Sequence, residues 1–462
     1  MIDFKTILAP DRGQPARALH LVDAAGHDDW LRQQPPRHRA ALIAQRFKPT
    51  PGAFAILPGD AAEAWSAVLG VKDAGVLTPW CLARAAEMLP EGSYRLDGRE
   101  PAEAMLGWAL AHYRFDRYRK EEASGVRTLL TGEPQRIEPV LREALATMRV
   151  RDLVNTGAGD LGPAELEAEV VDVGAAHGAR LTVTKGVDLE RGYPMIHTVG
   201  AAATAQRAPR LIELDWGRDD DPRVAIIGKG VCFDTGGLDL KPSAAMRLMK
   251  KDMGGAAHAL ALAELVMAAR LPVRLHLLIP AVENAVSGAA FRPGDVLRTR
   301  KGLTVENTNT DAEGRLILCD ALTRAVEGKP GMILDYATLT GAARVALGPD
   351  LPPLFANDEA LAADLLAAGE RVEDALWRMP LWDGYDEMLK SDVADMVNAA
   401  EGAFAGAITA ALFLRRFVPA DVPWAHLDVF AWRPATRPGR PKGGDAVGLR
   451  AAWAMLKSRY GE

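Results

Sequence analysis

A chain of 462 residues, 48% hydrophobic and 25% charged, has the composition of a globular protein and length for two or three domains. Its formal charge of −6 argues against a nucleic-acid surface spread over the whole chain, and suits a site that collects cations. Three cysteines, Cys81, Cys232 and Cys319, form no CxxC pair, which excludes a disulfide framework and a thiolate zinc site and points to a reducing compartment.

The start, MIDFKTILAPDRG, lacks the basic-then-apolar order of a secretory signal. In the first 135 residues the pattern predicts strands at Ala53–Leu57 and Gly75–Thr78 and helices at Ala61–Leu69, Trp80–Leu89 and Ala102–Tyr118. Pro90–Gly98 reads as a loop. No cluster of ligand-type residues appears, so this region is expected to be a structural or oligomer-forming α/β domain. A helix over residues 136–150 is expected to connect it to a catalytic domain over 151–462.

In that second part Gly162-Pro163 opens a helix. Apolar runs at Val224–Ile227, Val273–Ile279, Met332–Leu334 and Ala425–Val429 alternate with helical patterns at Gly255–Arg270, Glu313–Glu327 and Ala407–Phe417. Such alternation predicts an α/β fold around a mixed, mainly parallel sheet flanked by helices. The stretch Ala256–Arg270 is too short, and with His258 and Glu264 too polar, to span a bilayer.

Two segments put costly side chains into glycine-rich loops beside apolar strands. In AIIGKGVCFDTGGLDLKPSAAMRLMKKDMGGAA, Lys229, Asp234, Lys241 and Asp252 follow a buried-type strand; in ENTNTDAEGRLIL, turn-forming residues lead through Asp311 to Glu313 and Arg315. Ligands bind beyond the carboxyl ends of strands in open α/β sheets. Four carboxylates in one crevice would repel one another unless cations lay between them, and oxygen donors suit Mg²⁺ and Mn²⁺, with Zn²⁺ also accepted. Taken singly, an Asp beside Gly-Gly is most often a turn residue and DAEGR a solvated helix start; the signal lies in the combination.

Other templates fail. HExxH, GxSxG and a GxGxxG following a strand are absent, and no two of the nine histidines are spaced for zinc. His197, His258 and His426 read as packed, hydrogen-bonded residues, and Cys232 and Cys319 as small buried hydrophobes.

The segments GKGVCFDTGG, LKPSAAM, KDMGGAA, NTDAEGRLIL, DYATLTGA and WAHLD, in this order and spacing, closely resemble the signatures of the leucyl aminopeptidase (cytosol aminopeptidase) family. The resemblance implies a metal-dependent enzyme that removes the N-terminal residue from peptides with a free amino terminus. It implies that Lys229, Asp234, Asp252 and Glu313 bind one metal and Asp234, Asp311 and Glu313 a second. It also implies that Lys241 and Arg315 are the non-metal catalytic residues, with Arg315 holding a bicarbonate general base, and that Met249, Thr338, Leu339 and Gly341 line the substrate pocket. The implied cofactors are two divalent ions per subunit, Mn²⁺ or Zn²⁺, with Mg²⁺ or Co²⁺ as substitutes. The implied assembly is a cytoplasmic homohexamer. The chain departs from the family at Thr235, in AAEGAFAGAITAALF, and at Val429, Phe430, Ala431 and Trp432; this last stretch is bulkier, through Val429, Phe430 and Trp432, where the family shapes its pocket, so leucine preference does not transfer. Two other readings are a two-metal phosphoesterase and a non-catalytic DNA-binding scaffold. The first lacks an arginine cluster; the second would need Arg136, Arg149, Arg151, Arg433, Arg437, Arg440 and Lys442 to form a patch.

Overall fold

A computed structural model describes residues 6–61, 63–119 and 125–461. The chain divides into two compact units, one of residues 1–148 with 435–442, the other of 149–434 with 443–462. The short segment Ala435–Lys442 thus groups with the first unit, although it lies within the span expected to be catalytic.

The first unit is built on six strands: β1 (Leu8–Pro10), β2 (Arg17–Val22), β3 (Phe54–Pro58), β4 (Trp65–Gly70), β5 (Gly92–Leu96) and β6 (Arg127–Thr131). Their order is β1-β6-β5-β2-β4-β3, parallel except for the antiparallel pair β3–β4. Two expectations fail here for one reason. Ala61–Leu69, expected as a helix, takes in all of β4 but its last residue, and Pro90–Gly98, expected as a loop, contains β5. β4 joins β2 to β3 and β5 joins β2 to β6. Ala67, Val68 and Leu69 are buried in succession, so the two-residue alternation of a half-exposed strand is lost. Gly75–Thr78 forms no strand, and the helices expected at Trp80–Leu89 and Ala102–Tyr118 shrink to Ala83–Met88 and Met105–Leu110. Trp108, fully buried, donates its indole N–H to the Arg127 carbonyl (2.9 Å), tying the latter helix to β6. The helix following the sheet runs Ile137–Asn155.

The second unit contains β7 (Arg180–Lys185), β8 (Arg210–Trp216), β9 (Arg223–Gly228), β10 (Gly230–Asp234), β11 (Arg274–Asn284), β12 (Val296–Arg298), β13 (Thr304–Glu306), β14 (Met332–Ala337), β15 (Pro353–Ala356), β16 (Trp377–Arg378), β17 (Met396–Val397) and β18 (Trp424–Asp428). Nine of these form a mixed sheet, β16-β15-β18-β14-β9-β11-β8-β7, with β10 also on β11. Its centre, β18-β14-β9-β11, is parallel, and β10 runs parallel to β11. Val224–Ile227 is buried throughout, as expected of a strand covered on both faces. Helices Gly254–Ala268 and Glu313–Glu327 pack on β9 and β11; the second contributes Leu316, Ile317, Leu318, Cys319, Ala321 and Leu322 to the main core. β12, β13 and β17 make a small separate sheet. β9 and β10 pair in succession along β11 with only Lys229 between them, and they point the same way as β14 and β18, so the segments that end these strands open along one edge. Among the described residues, no helix is long and apolar enough to cross a membrane.

Candidate active site

That edge carries the costly residues. Lys229 follows β9, Asp234 ends β10, Thr338 follows β14 and Asp428 ends β18. Asp252 sits on a short 3₁₀ turn, Met249–Met253, leading directly into the helix Gly254–Ala268. Gly255 permits this entry: a Cβ there would stand 2.2 Å from the Tyr336 carbonyl oxygen and 2.9 Å from the Lys229 nitrogen. Gly314 does the same for the other partner, since a Cβ at 314 would collide with the Lys229 stem at 2.7 Å.

Asp311 and Glu313 converge because the first lies in the loop before the helix and the second opens it. Hydrogen bonds fix that loop. The Thr310 hydroxyl donates to the Gly236 carbonyl (2.6 Å) and accepts from the Asp239 N–H (2.8 Å), while the Thr310 N–H donates to the Asp239 carboxylate (2.7 Å). The fully buried Asn398 accepts from the Thr308 N–H (2.8 Å) and donates to Asn307 Oδ1 (2.8 Å) and the Asn309 carbonyl (2.7 Å). Asn284 donates to Asp234 Oδ1 (2.9 Å) and the Thr310 carbonyl (3.1 Å), joining the two loops. None of Asn284, Asn398 and Asp239 stands out in the sequence; their partners lie far along the chain.

All eleven expected site residues line one cleft of about 460 Å³. Lys229 Nζ lies 2.7 Å from Asp252 Oδ2, 2.8 Å from Glu313 Oε1, and 3.0 Å from the Thr338 carbonyl, to which it donates. Lys241 Nζ lies 2.9 Å from Asp234 Oδ2 and also pairs with Asp311. Oxygens of Asp234, Asp252 and Glu313 fall within 4.8 Å of one another, all three residues buried; Asp311 stands outside this trio, joined to it through Lys241.

Charge is unbalanced in this nest. Burial, reinforced by the Asp234 charge, pushes the Glu313 carboxyl up to about 8 and the Asp311 carboxyl up to about 6. Burial acts against both ammonium groups, but the carboxylates around Lys229 and Lys241 overcome it and raise both. Asp252 goes the other way from Glu313, its burial outweighed by Lys229: two acids compete for one ammonium. Asp252 Oδ2, Glu313 Oε1 and Asp311 Oδ1 are buried oxygens without a directed hydrogen bond, although each lies within ion-pair reach of a lysine. Hard oxygen donors so arranged fit divalent cations.

Arg315 is buried on the cleft wall. Its Nη1 donates to the Asn398 carbonyl (2.8 Å), its Nε has no partner, and burial pushes its guanidinium down to about 10. On the opposite flank of Asp252, Thr338 Oγ1 donates to Asp252 Oδ1 (2.9 Å). Asp428 accepts from the N–H groups of Leu339 (2.9 Å) and Thr340 (3.1 Å) and from the Thr340 hydroxyl (2.7 Å). This holds the start of the helix Gly341–Leu347 against the cleft.

A family model described as the catalytic domain of the cytosol aminopeptidase family matches residues 148–452, and one for the M17 aminopeptidase N-terminal domain matches 18–131. The chain belongs to the cytosol aminopeptidase family. As a member it is an aminopeptidase, a hydrolase of class EC 3.4.11. It is 40% identical to a probable cytosol aminopeptidase of Syntrophotalea carbinolica over 84% of this chain and 81% of that one. Among solved structures it resembles a cytosol aminopeptidase from Coxiella burnetii, with a TM-score of 0.92 and 42% identity over 98% of this chain and 99% of the other. It also resembles a bottromycin maturation enzyme solved in complex with Mn, with a TM-score of 0.86 and 33% identity over 96% of this chain and 100% of that one. The two-domain α/β architecture expected from the sequence is that of this cytosol aminopeptidase family.

Among the described residues, no histidine or cysteine lines the cleft. His258 and His426 are buried and hydrogen-bonded, to Gly254 and Asp335 respectively, and burial pushes the Cys232 and Cys319 thiols up. Several arginines of the suspected basic patch are neutralised: Arg149 by Glu264, Arg151 and Arg433 by Asp445, Arg136 by Glu103.

Proposed function

We propose that this aminopeptidase works with two divalent cations, one held by Lys229, Asp234, Asp252 and Glu313, the other by Asp234, Asp311 and Glu313. The observation that carries this is the cluster of three buried carboxylates within 4.8 Å, with oxygens lacking directed hydrogen bonds. Mn²⁺ and Zn²⁺ are the expected ions, with Mg²⁺ and Co²⁺ as substitutes. Such ions, when bound, supply positive charge that polarises a peptide carbonyl and acidifies water.

The protein's own side chains do the rest. Lys229 must act as a neutral amine to serve as a ligand. Lys241 stays an ammonium with three N–H donors; Asp234 and Asp311 engage two, leaving one for the oxygen that gains charge when the carbonyl becomes tetrahedral. Arg315, buried and bearing an N–H without partner, suits a small anion such as bicarbonate, which would take the proton from the attacking water. The acidic nest attracts the free amino group of the substrate, which restricts cleavage to the first residue. Met249, Thr338, Leu339 and Gly341 line the space for that residue's side chain.

We also propose that residues 1–135 serve structure and assembly, 136–150 connect, and 151–462 catalyse, in a cytoplasmic homohexamer. Phe404 and Val345, 85% and 84% exposed in the single chain, suit burial between subunits. The deciding experiment supplies Mn²⁺ with an amino-acyl anilide or a phosphate ester. Cleavage of the anilide alone supports this reading; cleavage of the phosphate ester alone overturns it.

A further inference from the structure

The cleft carries two cationic side chains, Lys251 and Arg344, that no carboxylate of the nest holds by a hydrogen bond. Lys251 precedes Asp252, and its side chain is only 7% exposed. Its Nζ stands 3.7 Å from Asp252 Oδ1, beyond hydrogen-bond reach, and both Asp252 oxygens already have nearer partners in Thr338 and Lys229. Among the described residues, no group accepts a hydrogen bond from the Lys251 ammonium; only the backbone N–H of this residue is engaged, by the Leu248 carbonyl (3.0 Å). The preceding Lys250 donates to the Asn155 carbonyl instead. An ammonium withdrawn from water without a hydrogen-bond acceptor is costly.

A second cation approaches the same place. Arg344, on the helix Gly341–Leu347, pairs with no carboxylate among the described residues. Its guanidinium carbon lies 4.7 Å from the centre of the Phe430 ring, and Lys251 Nζ lies 5.3 Å from that centre. The ring face offers each cation partial compensation but no hydrogen-bond acceptor. Phe430 follows the cleft-lining Asp428–Val429, and all three residues, Lys251, Arg344 and Phe430, line the cleft. They border the pocket of Met249, Thr338 and Leu339.

We propose that Lys251 and Arg344 bind a carboxylate on the side chain of the substrate's first residue, so that the enzyme prefers peptides beginning with glutamate or aspartate. The proposal rests on the reading of that pocket given under the proposed function. The two ends of such a residue find opposite charges: the α-amino group faces the acidic nest, and the side-chain carboxylate faces Lys251 and Arg344. A lysine or arginine in the same pocket would bring like charges together.

The experiment compares kcat/KM for glutamyl, leucyl and lysyl anilides with Mn²⁺, in the wild type and in Lys251→Met, Lys251→Arg and Arg344→Met. Anilides have no C-terminal carboxylate, so any response must come from the side chain. Wild type is expected to favour the glutamyl over the leucyl substrate. The glutamyl-to-leucyl ratio should fall at least about tenfold in Lys251→Met and Arg344→Met, and recover in Lys251→Arg. Arg344→Glu should shift the preference toward the lysyl substrate. Equilibrium dialysis of L-glutamate against L-leucine gives a second readout, with glutamate binding weakened in Arg344→Met; Arg344 is exposed, so this variant stays informative should Lys251→Met fail to fold. A wild type that favours leucyl anilide, or a ratio unmoved by the Arg344 variants, overturns the proposal. The same variants are assayed with a leucyl dipeptide, and an effect seen there but absent from the anilides also overturns the proposal, assigning the cations to the C-terminal carboxylate. Failure to cleave any anilide with a free amine would instead overturn the aminopeptidase site reading itself.

Discussion

Lys229 and Glu313 meet at 2.8 Å with both side chains buried, although one follows a central strand and the other begins a helix far along the chain. Gly314 makes the approach possible, and the same ammonium also serves Asp252 at 2.7 Å. One amine therefore faces two acids while Asp234 adds a third. This leaves Glu313 raised and Asp252 lowered, a state that divalent cations would relieve.

In the proposed mechanism Lys241 acts apart from cation binding. Replacing it by Ala should lower kcat at least about a hundredfold, as loss of an oxyanion donor does, while metal content stays at the wild-type value. Steady-state kinetics with elemental analysis on the same sample checks both. Unchanged turnover would remove Lys241 from the chemistry.

The free amino group is the substrate's identifying feature. Acetylating it removes the positive charge that the acidic nest attracts, so cleavage of an N-acetylated peptide should be undetectable beside its unmodified parent in a chromatographic assay. Comparable cleavage of both would point to an endopeptidase.

Asn398 holds the loop that delivers Asp311 and Glu313. Asn398→Ala strands the Thr308 N–H, Asn307 Oδ1 and the Asn309 carbonyl; Asn307 is fully buried, and a buried group left unpaired costs about 1–3 kcal/mol. Lower thermal stability and weaker Mn²⁺ affinity are expected together. A variant with wild-type affinity would mean that the loop holds its shape without this side chain.

The catalytic half was legible because its chemistry is concentrated in contiguous strings. GKGVCFDTGG carries Lys229 between β9 and β10 and Asp234 at the end of β10, and NTDAEGRL carries Asp311, Glu313 and Arg315 on one loop and first turn. Side chains that act across long separations were not legible. Asn284 and Asn398 look like ordinary polar residues until the fold brings Thr310 and Asn309 to them. Nothing in the string MKKD distinguishes Lys251, which is buried in the cleft wall, from Lys250 beside it. In the first unit, β4 and β5 escaped notice: three successive buried residues conceal the period of β4, and a turn-rich surround conceals Tyr94 and Leu96 of β5.

His112 in the first unit should govern part of the acid stability. Burial pushes its imidazole down to about 4; Nδ1 lies 2.9 Å from the Trp108 carbonyl and Nε2 accepts from the Arg127 N–H at 3.4 Å, as a neutral ring requires. The unfolded chain protonates near the ordinary value of about 6.5. Stability from this group is therefore complete above pH 6.5 and is lost as pH falls toward 4, by up to roughly 3 kcal/mol. Denaturant unfolding between pH 7 and 4.5 should show a shallower pH dependence in His112→Gln; an identical slope would refute the assignment.

The most direct test of the two-cation site is metal stoichiometry. The protein is dialysed to equilibrium against Mn²⁺ and analysed by plasma mass spectrometry, alongside Asp252→Asn and Glu313→Gln. Two ions per wild-type chain, with at least one lost in each variant whose circular dichroism is unchanged, is the expected result. No bound ion in the wild type, or an undiminished count in both variants, would contradict the account.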